Sequence, residues 1–427
     1  MRIFAGFISI IFTLLAGATA TAQDSAEPIK VACGSVGIEL KLCTDAVEAW
    51  TAKTGYPASV VSMPTSSSER LALYQQFLSA KQGGIDVFQI DVIWPGILKT
   101  HLLDLTPYVP QEEVKQHYAT LIHNNTVDGR LVALPYYTDV GVMYYRKDLL
   151  EKYDLAVPQT WDEMTEAAKI IQKGEREAGI HDFWGYVWQG KAYEGLTCNA
   201  LEWVYSSGGG QIVAPEGDVT IVNDDAAKAI NRAAGWVGSI TPRGVLNYSE
   251  EEARGIFQSG KAAFMRNWPY AWSLAQGEGS PVKGKVGVTM MLHEGGDTPR
   301  SGALGGWQMA VSKYSAHKEK AVDLVRYLTG PEVQRKLAIE SSNNPTIRAL
   351  YDEPDVLAAL AIPEVLKEAL GAAVARPSRV AGVRYNQLSN GFYNAVHATL
   401  SDDGTAEENL KSLQHRLKRI SKEGTWD

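Results

Sequence analysis

From Pro28 onward the apolar and polar positions change period in a regular way. Ile29 to Ala32 reads as a strand with Lys30 between apolar residues, Glu39 to Lys53 repeats its apolar positions at helical spacing, and Ser59 to Met63 reads as a strand again. Ser67 to Lys81 returns to helical spacing, and Asp86 to Ile90 to a strand. This β-α-β-α-β order predicts a parallel sheet with right-handed crossovers, in which a ligand sits in the crevice at the carboxyl ends of the strands. The segments after the three strands therefore hold the candidate chemistry of this half: Gly34 to Glu39, Pro64-Thr65-Ser66 leading to Arg70, and Asp91.

Helix starts are marked where Ser or Thr is followed at the third position by Glu, at Ser66 with Glu69, Thr160 with Glu163 and Ser249 with Glu252. The first of these puts Arg70 in the opening turn of its helix, where a cation opposes the helix dipole at a cost of about 0.3–1 kcal/mol. Either a function compensates that cost, or the side chain is an exposed one beside an acid. From Asp139 to Val288 helix signals predominate around Trp161, Trp184, Trp188, Trp203, Trp236, Trp268 and Trp272, which predicts a second α/β lobe. Gly302 to Tyr314 is strand-like and Lys318 to Leu328 helical. Ala406 to Ser421 is an amphipathic terminal helix with Leu410, Leu413, Leu417 and Ile420 on one packing face.

A length of 427 residues with 45% hydrophobic and 21% charged positions is that of a globular chain of two or three domains or lobes. With 49 acidic against 41 basic residues the net charge is −8, which argues against nucleic acid as a partner. Met1 to Ala22 combines Arg2, an apolar run from Ile3 to Leu15 and the small-residue stretch Ala18 to Ala22. It reads as a secretory signal peptide, since the apolar run is shorter than the roughly 20 residues that span a bilayer. Gln23 and Asp24 follow where a lipoprotein would carry Cys, so the mature chain is expected to be soluble outside the cytoplasm.

Cys33, Cys43 and Cys198 have no CxxC spacing and the eight histidines no ligand spacing, so neither a metal nor a cofactor is expected. Cys33 ends a strand and Cys43 lies in the next helix; in an oxidising compartment they either bridge, leaving Cys198 free, or stay as separately buried thiols. Gly255 to Lys261 matches most of a phosphate-binding loop, but Ala262 lacks the metal-binding hydroxyl and the run follows a helix instead of a strand. With no HExxH, GxSxG or GxGxxG, the enzymatic alternative is a glycosidase using a carboxylate pair such as Asp91 and Asp139.

More informative is the strand-like run Leu134 to Arg146, which leaves the first lobe carrying Tyr137 and Asp139. With Trp268-Pro269-Tyr270 and Gly305-Gly306-Trp307 it supplies flat apolar faces beside hydrogen-bonding groups. Sugars need that combination, C–H faces on aromatic rings and hydroxyls on carboxylates and Arg.

On these stretches, together with Ser68 to Leu78, Asp86 to Gly96, Pro158 to Met164 and Phe257 to Trp268, the chain resembles the bacterial extracellular solute-binding proteins of ABC importers. The likeness is to the sugar-binding group that contains maltose-binding protein, and in particular to the trehalose/maltose-binding proteins. It implies an α/β, two-lobe periplasmic binding protein fold with a hinge of crossing segments: 27–137 with 291–347 as one lobe, 138–290 with 348–427 as the other. It further implies no catalysis, and a periplasmic monomer that delivers an α-linked glucose disaccharide, trehalose first and maltose or sucrose next, to a permease in the inner membrane. The ligand residues it implies are Glu39, Thr65, Arg70, Asp91, Gly305, Gly306 and Trp307 from the first lobe, Tyr137 and Asp139 at the first crossing, and Trp268 and Arg384 from the second lobe.

Overall fold

The computed structural model describes residues 27–81 and 83–426; the expected signal peptide, 1–22, lies outside them. Eleven strands are described: β1 Ile29–Cys33, β2 Ala58–Ser62, β3 Val87–Asp91, β4 Thr126–Val127, β5 Arg130–Leu131, β6 Leu134–Val140, β7 Val142–Arg146, β8 Trp184–Val187, β9 Ala262–Asn267, β10 Val286–Met290 and β11 Leu304–Val311. The expected β-α-β-α-β unit is present, with β1 parallel to both β2 and β3. Its helices run Glu39–Thr54 and Ser67–Ser79.

Two sheets carry the fold. The first has the order β2-β1-β3-β11-β6 and the second β10-β7-β9-β8. This is the two-lobe α/β architecture of periplasmic binding proteins, with a hinge. The chain changes sheet at Gly141, between β6 and β7, and again between β10 and β11. At this waist Gly141 N–H donates to Ala303 O at 3.1 Å, Leu304 N–H to Val374 O at 2.9 Å and Val374 N–H to Gly302 O at 2.9 Å. Three chain segments are thus tied together by backbone hydrogen bonds where the two sheets meet.

Helices Glu39–Thr54 and Lys318–Leu328 pack on the first sheet through Val47, Trp50, Leu324, Val325 and Leu328 against Val31, Val87 and Met309. Burying each aliphatic side chain of this kind contributes roughly 1.5–3 kcal/mol. In the second half Trp161, Trp188, Trp203 and Trp236 are buried core, with Trp188 edge-on to Trp203 at 4.9 Å and Trp203 to Trp236 at 6.0 Å. The terminal helix Ala406–Ile420 buries Leu410, Leu413 and Leu417, the packing face read from the sequence.

Thr160 and Ser249 each form the full reciprocal cap with their glutamates. Ser66 does not: it caps Glu69 N–H, but the Glu69 side chain pairs instead with Lys191, 3.2 Å away. Cys33 and Cys43 form a disulfide and Cys198 is a buried free thiol. The near-match to a phosphate loop is helix Glu250–Gln258, a turn and β9, not strand, loop and helix.

Candidate functional site

The register of the first sheet builds one wall of a cleft. Antiparallel pairing of β11 with β3 sets Trp307 opposite Asp91, and pairing with β6 sets Trp307 opposite Tyr137 and Gly305 opposite Asp139. Five residues from three strands far apart in sequence thus become neighbours because β11 pairs on both edges. The segment after β1 adds Val36 and Ile38, and the first turn of the next helix adds Glu39. The Cys33–Cys43 bridge closes this segment at its base.

The opposite wall comes from the second half. β9 ends at Asn267 and delivers Trp268, and the short helix Ala271–Ala275 follows Tyr270. Helix Glu194–Tyr205 presents Glu194 and Cys198, helix Glu250–Gln258 presents Glu250, and Arg376 comes from an irregular segment. The cleft measures about 800 Å³ with its open mouth included. A Cβ at Gly305 would lie 2.8 Å from the Trp268 ring, so glycine at this position lets the tryptophan cross to the opposite wall.

The two walls touch at the rim. Lys191 pairs with Glu69, Glu194 N–H donates to Ser68 Oγ at 3.1 Å, and Arg376 donates to Asp91 at 2.9 Å. These contacts hold the two walls together across the cleft.

Of the sequence-predicted residues, Glu39, Thr65, Asp91, Tyr137, Asp139, Trp268, Gly305, Gly306 and Trp307 all line the cleft. Arg70 stands behind it, fully buried, with its guanidinium 4.2 Å from the centre of the Trp307 ring. It donates to Pro64 O through Nε (3.2 Å) and Nη2 (3.1 Å), and its Nη1 has no partner. Arg70 is thus not the exposed side chain of the alternative reading, although an acid, Glu39, does lie 3.9 Å from its Nη2. Arg384 is elsewhere, in a 3-10 turn over Gly382–Arg384 that is not part of the cleft wall. The arginine that faces the cleft is Arg376, which bridges Asp91 and Glu194 at 2.9 and 3.0 Å.

Glu194, Glu250 and Arg376 were not singled out from the sequence. Glu194 carried a readable signal: it opens a helix buried along its length from Glu194 to Val204, in which Glu194 and Glu202 are the acids. Charges in such a helix must be paired or functional. Glu194 accepts from Arg376, Tyr385 Oη (2.5 Å) and Ser389 Oγ (2.6 Å). Arg376 lies in a stretch with no periodicity, so sequence offered nothing to separate it from Arg384.

Electrostatically the cleft is rich in acceptors. Glu39, Asp91, Asp139, Glu194 and Glu250 line it against one arginine, Arg376. Glu39 is satisfied locally, accepting from Tyr137 Oη at 2.7 Å, from Val36 N–H at 3.3 Å and from Gln89 Nε2. Asp139 is not: its Oδ1 is buried without a partner. Burial, with Glu39 and Asp91 nearby, pushes the Asp139 carboxyl well above the usual range. Burial likewise raises Glu194, against the opposing pull of Arg376, and raises Glu250, which accepts from Tyr193 Oη at 2.7 Å. Among the described residues no group of three or more His, Cys, Asp or Glu could hold a metal ion, and no helix is long and apolar enough to cross a membrane.

Fold and cleft together define a two-lobe binding protein with its candidate site between the lobes. Comparison with known proteins makes this specific. Residues 43–335 match the family model described as bacterial extracellular solute-binding protein. A probable ABC transporter-binding protein of Deinococcus radiodurans is 47% identical over 406 residues, 95% of this chain and 96% of that one. The structure of maltose-bound MalE3 of T. maritima is 38% identical, covers 92% of this chain and 99% of its own, and superposes with a TM-score of 0.87. A solute-binding protein of Thermotoga lettingae bound with α-D-tagatose shares the fold at 22% identity, covering 92% of this chain and 98% of its own with a TM-score of 0.81. The chain belongs to the bacterial extracellular solute-binding protein family, and it is a binding protein and not an enzyme.

Proposed function

We propose that this protein is the solute-binding component of an ABC sugar importer and that its ligand is an α-glucoside disaccharide. The observation that carries the reading is the unpartnered, buried Oδ1 of Asp139 in a cleft bounded by Trp268 and Trp307. A buried acceptor beside two indole faces suits a solute with hydroxyls at its edge and C–H bonds on its face. Five acceptor carboxyls against one lining guanidinium, itself bridged to Asp91 and Glu194, leave an anionic solute without a free cationic partner. The buried guanidiniums of Arg70 and Arg266 beside the two rings make them poor partners for a cation. What remains is a neutral, donor-rich molecule.

The 38% identity to maltose-bound MalE3 supports maltose, and trehalose and sucrose share its chemistry. In this reading the ligand groups are Glu39, Thr65, Asp91, Tyr137, Asp139, Trp268, Gly305, Gly306 and Trp307, with Arg376 in the place expected of Arg384 and Arg70 supplying the free Nη1 from behind Trp307. The lobes are 27–137 with 291–347 and 138–290 with 348–427. The protein is a periplasmic monomer whose partner is a permease in the inner membrane.

The test is titration calorimetry against trehalose, maltose, sucrose, glucose and a polyol, with each sugar assayed afterwards for released glucose. One disaccharide should bind per chain at roughly micromolar Kd, about −8 kcal/mol, and no glucose should appear. Glucose binding as tightly as every disaccharide would overturn the ligand class.

A further inference from the structure

Each cleft tryptophan is backed by a fully buried guanidinium: Arg70 lies 4.2 Å from the ring centre of Trp307 and Arg266 lies 4.0 Å from that of Trp268. The second pair has a connection that the first lacks. Arg266, on β9, donates through Nε at 2.8 Å and through Nη2 to the carboxylate of Glu202, and through Nη1 to Gln189 Oε1 at 3.1 Å. Both ionic side chains are 0% exposed. The Glu202 carboxylate also accepts the backbone N–H of Ala303 at 2.9 Å. A Cβ at Gly141 would lie 2.0 Å from Glu202 Oε1 and 2.5 Å from Arg266 Nη2, so the first crossing segment passes the ion pair with no room for a side chain. One ion pair therefore touches two of the three segments at the waist and one of the cleft tryptophans.

Two buried ions are a poor way to gain stability, because desolvation offsets their attraction and an apolar pair of equal volume does as well. Their value here lies in geometry. A guanidinium is flat, so it can stack on an indole while both of its edges stay hydrogen-bonded. We infer that Arg266, held by Glu202, is a positioning residue for solute binding: it fixes the Trp268 ring in the cleft and ties that ring to the hinge. The inference rests on the reading of Trp268 as a sugar platform.

A double-mutant cycle on maltose affinity tests it, with Arg266→Lys made in the parent and in Trp268→Ala, and thermal unfolding measured for all four proteins. Lysine keeps a charge opposite Glu202 but has no flat face to hold the ring. In the parent Arg266→Lys should weaken maltose binding about tenfold; in the Trp268→Ala background it should weaken binding less than twofold. The change in melting temperature should be the same in both backgrounds, which separates positioning from stability. An equal affinity loss in both backgrounds, or none in the parent, overturns the inference. An unchanged affinity in Trp268→Ala alone overturns instead the platform reading beneath it. Should Arg266→Lys fail to fold, Glu202→Gln, which retains an acceptor for Ala303 and Arg266, enters the same cycle with the same expected and contrary outcomes.

Discussion

Trp307 and Trp268 face one cleft from two sheets, and each has an arginine against its ring, but the arginines are held differently. Arg70 leans on a backbone carbonyl, keeps Nη1 unpartnered and has its nearest acid, Glu39, at 3.9 Å. Arg266 is locked to a buried carboxylate and to Gln189. The first wall thus keeps polar capacity in reserve around the cleft, whereas the second spends its capacity internally and fixes the hinge. Similar residue pairs can serve recognition or geometry, and the state of the guanidinium's remaining donors separates the two.

Substitutions at six positions test that contrast. The largest effect should come from Arg266→Met, which strands the Glu202 carboxylate and should cost about 3–5 kcal/mol in denaturant unfolding. Arg70→Met should cost only about 1–2 kcal/mol, because Glu39 keeps Tyr137, Gln89 and Val36 as donors. Equal costs would erase the distinction between the walls.

Cys43→Ser comes next. The bridge closes the short segment that carries Val36, Ile38 and Glu39, so its loss should cost roughly 2–3 kcal/mol of stability. Maltose affinity should fall with it, by roughly threefold to tenfold by calorimetry, through a loosened first wall. An unchanged affinity would show that the segment holds its shape without the bridge.

Trp268→Ala and Trp307→Ala should each weaken sugar binding about tenfold, roughly 1.4 kcal/mol, and Phe at either position should restore part of the loss. Calorimetry in which only one of the two matters would reduce the site to a single platform.

The smallest effect concerns Asp139, whose carboxyl pKa is raised by burial and by neighbouring acids. The folded chain then holds a proton there that the unfolded chain gives up above the ordinary carboxylate range, so stability falls as pH rises from that range toward the raised value. Asp139→Asn removes this dependence. Its melting temperature should exceed the parent's by about 1–3 °C at pH 7, with the gap closing near pH 4, while sugar affinity drops. A gap independent of pH would show that Asp139 does not titrate as described.

The strand ends, Glu39, Thr65 and Asp91 were legible from the sequence because the hydrophobic period there switches cleanly between strand and helix. Arg70 was legible as a cation where a helix start disfavours one. Its actual partner, the Trp307 ring, was not, since that contact depends on β11 returning to pair with β3 and β6. Arg376 escaped for a related reason. Ala375 to Arg384 has no periodicity, and only the folded path of that segment distinguishes an arginine on the cleft from one in a turn beside it. Glu202 is the instructive middle case: an acid in a helix buried on every side needs a buried partner, but the helix does not name it.

The proposed function requires the space between Trp268 and Trp307 to hold a sugar. A crystal structure grown with maltose tests it most directly. We predict a glucose ring against at least one of the two indoles, with a hydroxyl donating to Asp139 Oδ1 at about 2.7 Å. Maltose bound elsewhere on the chain, or in the cleft with Asp139 Oδ1 still unpartnered, would contradict the account.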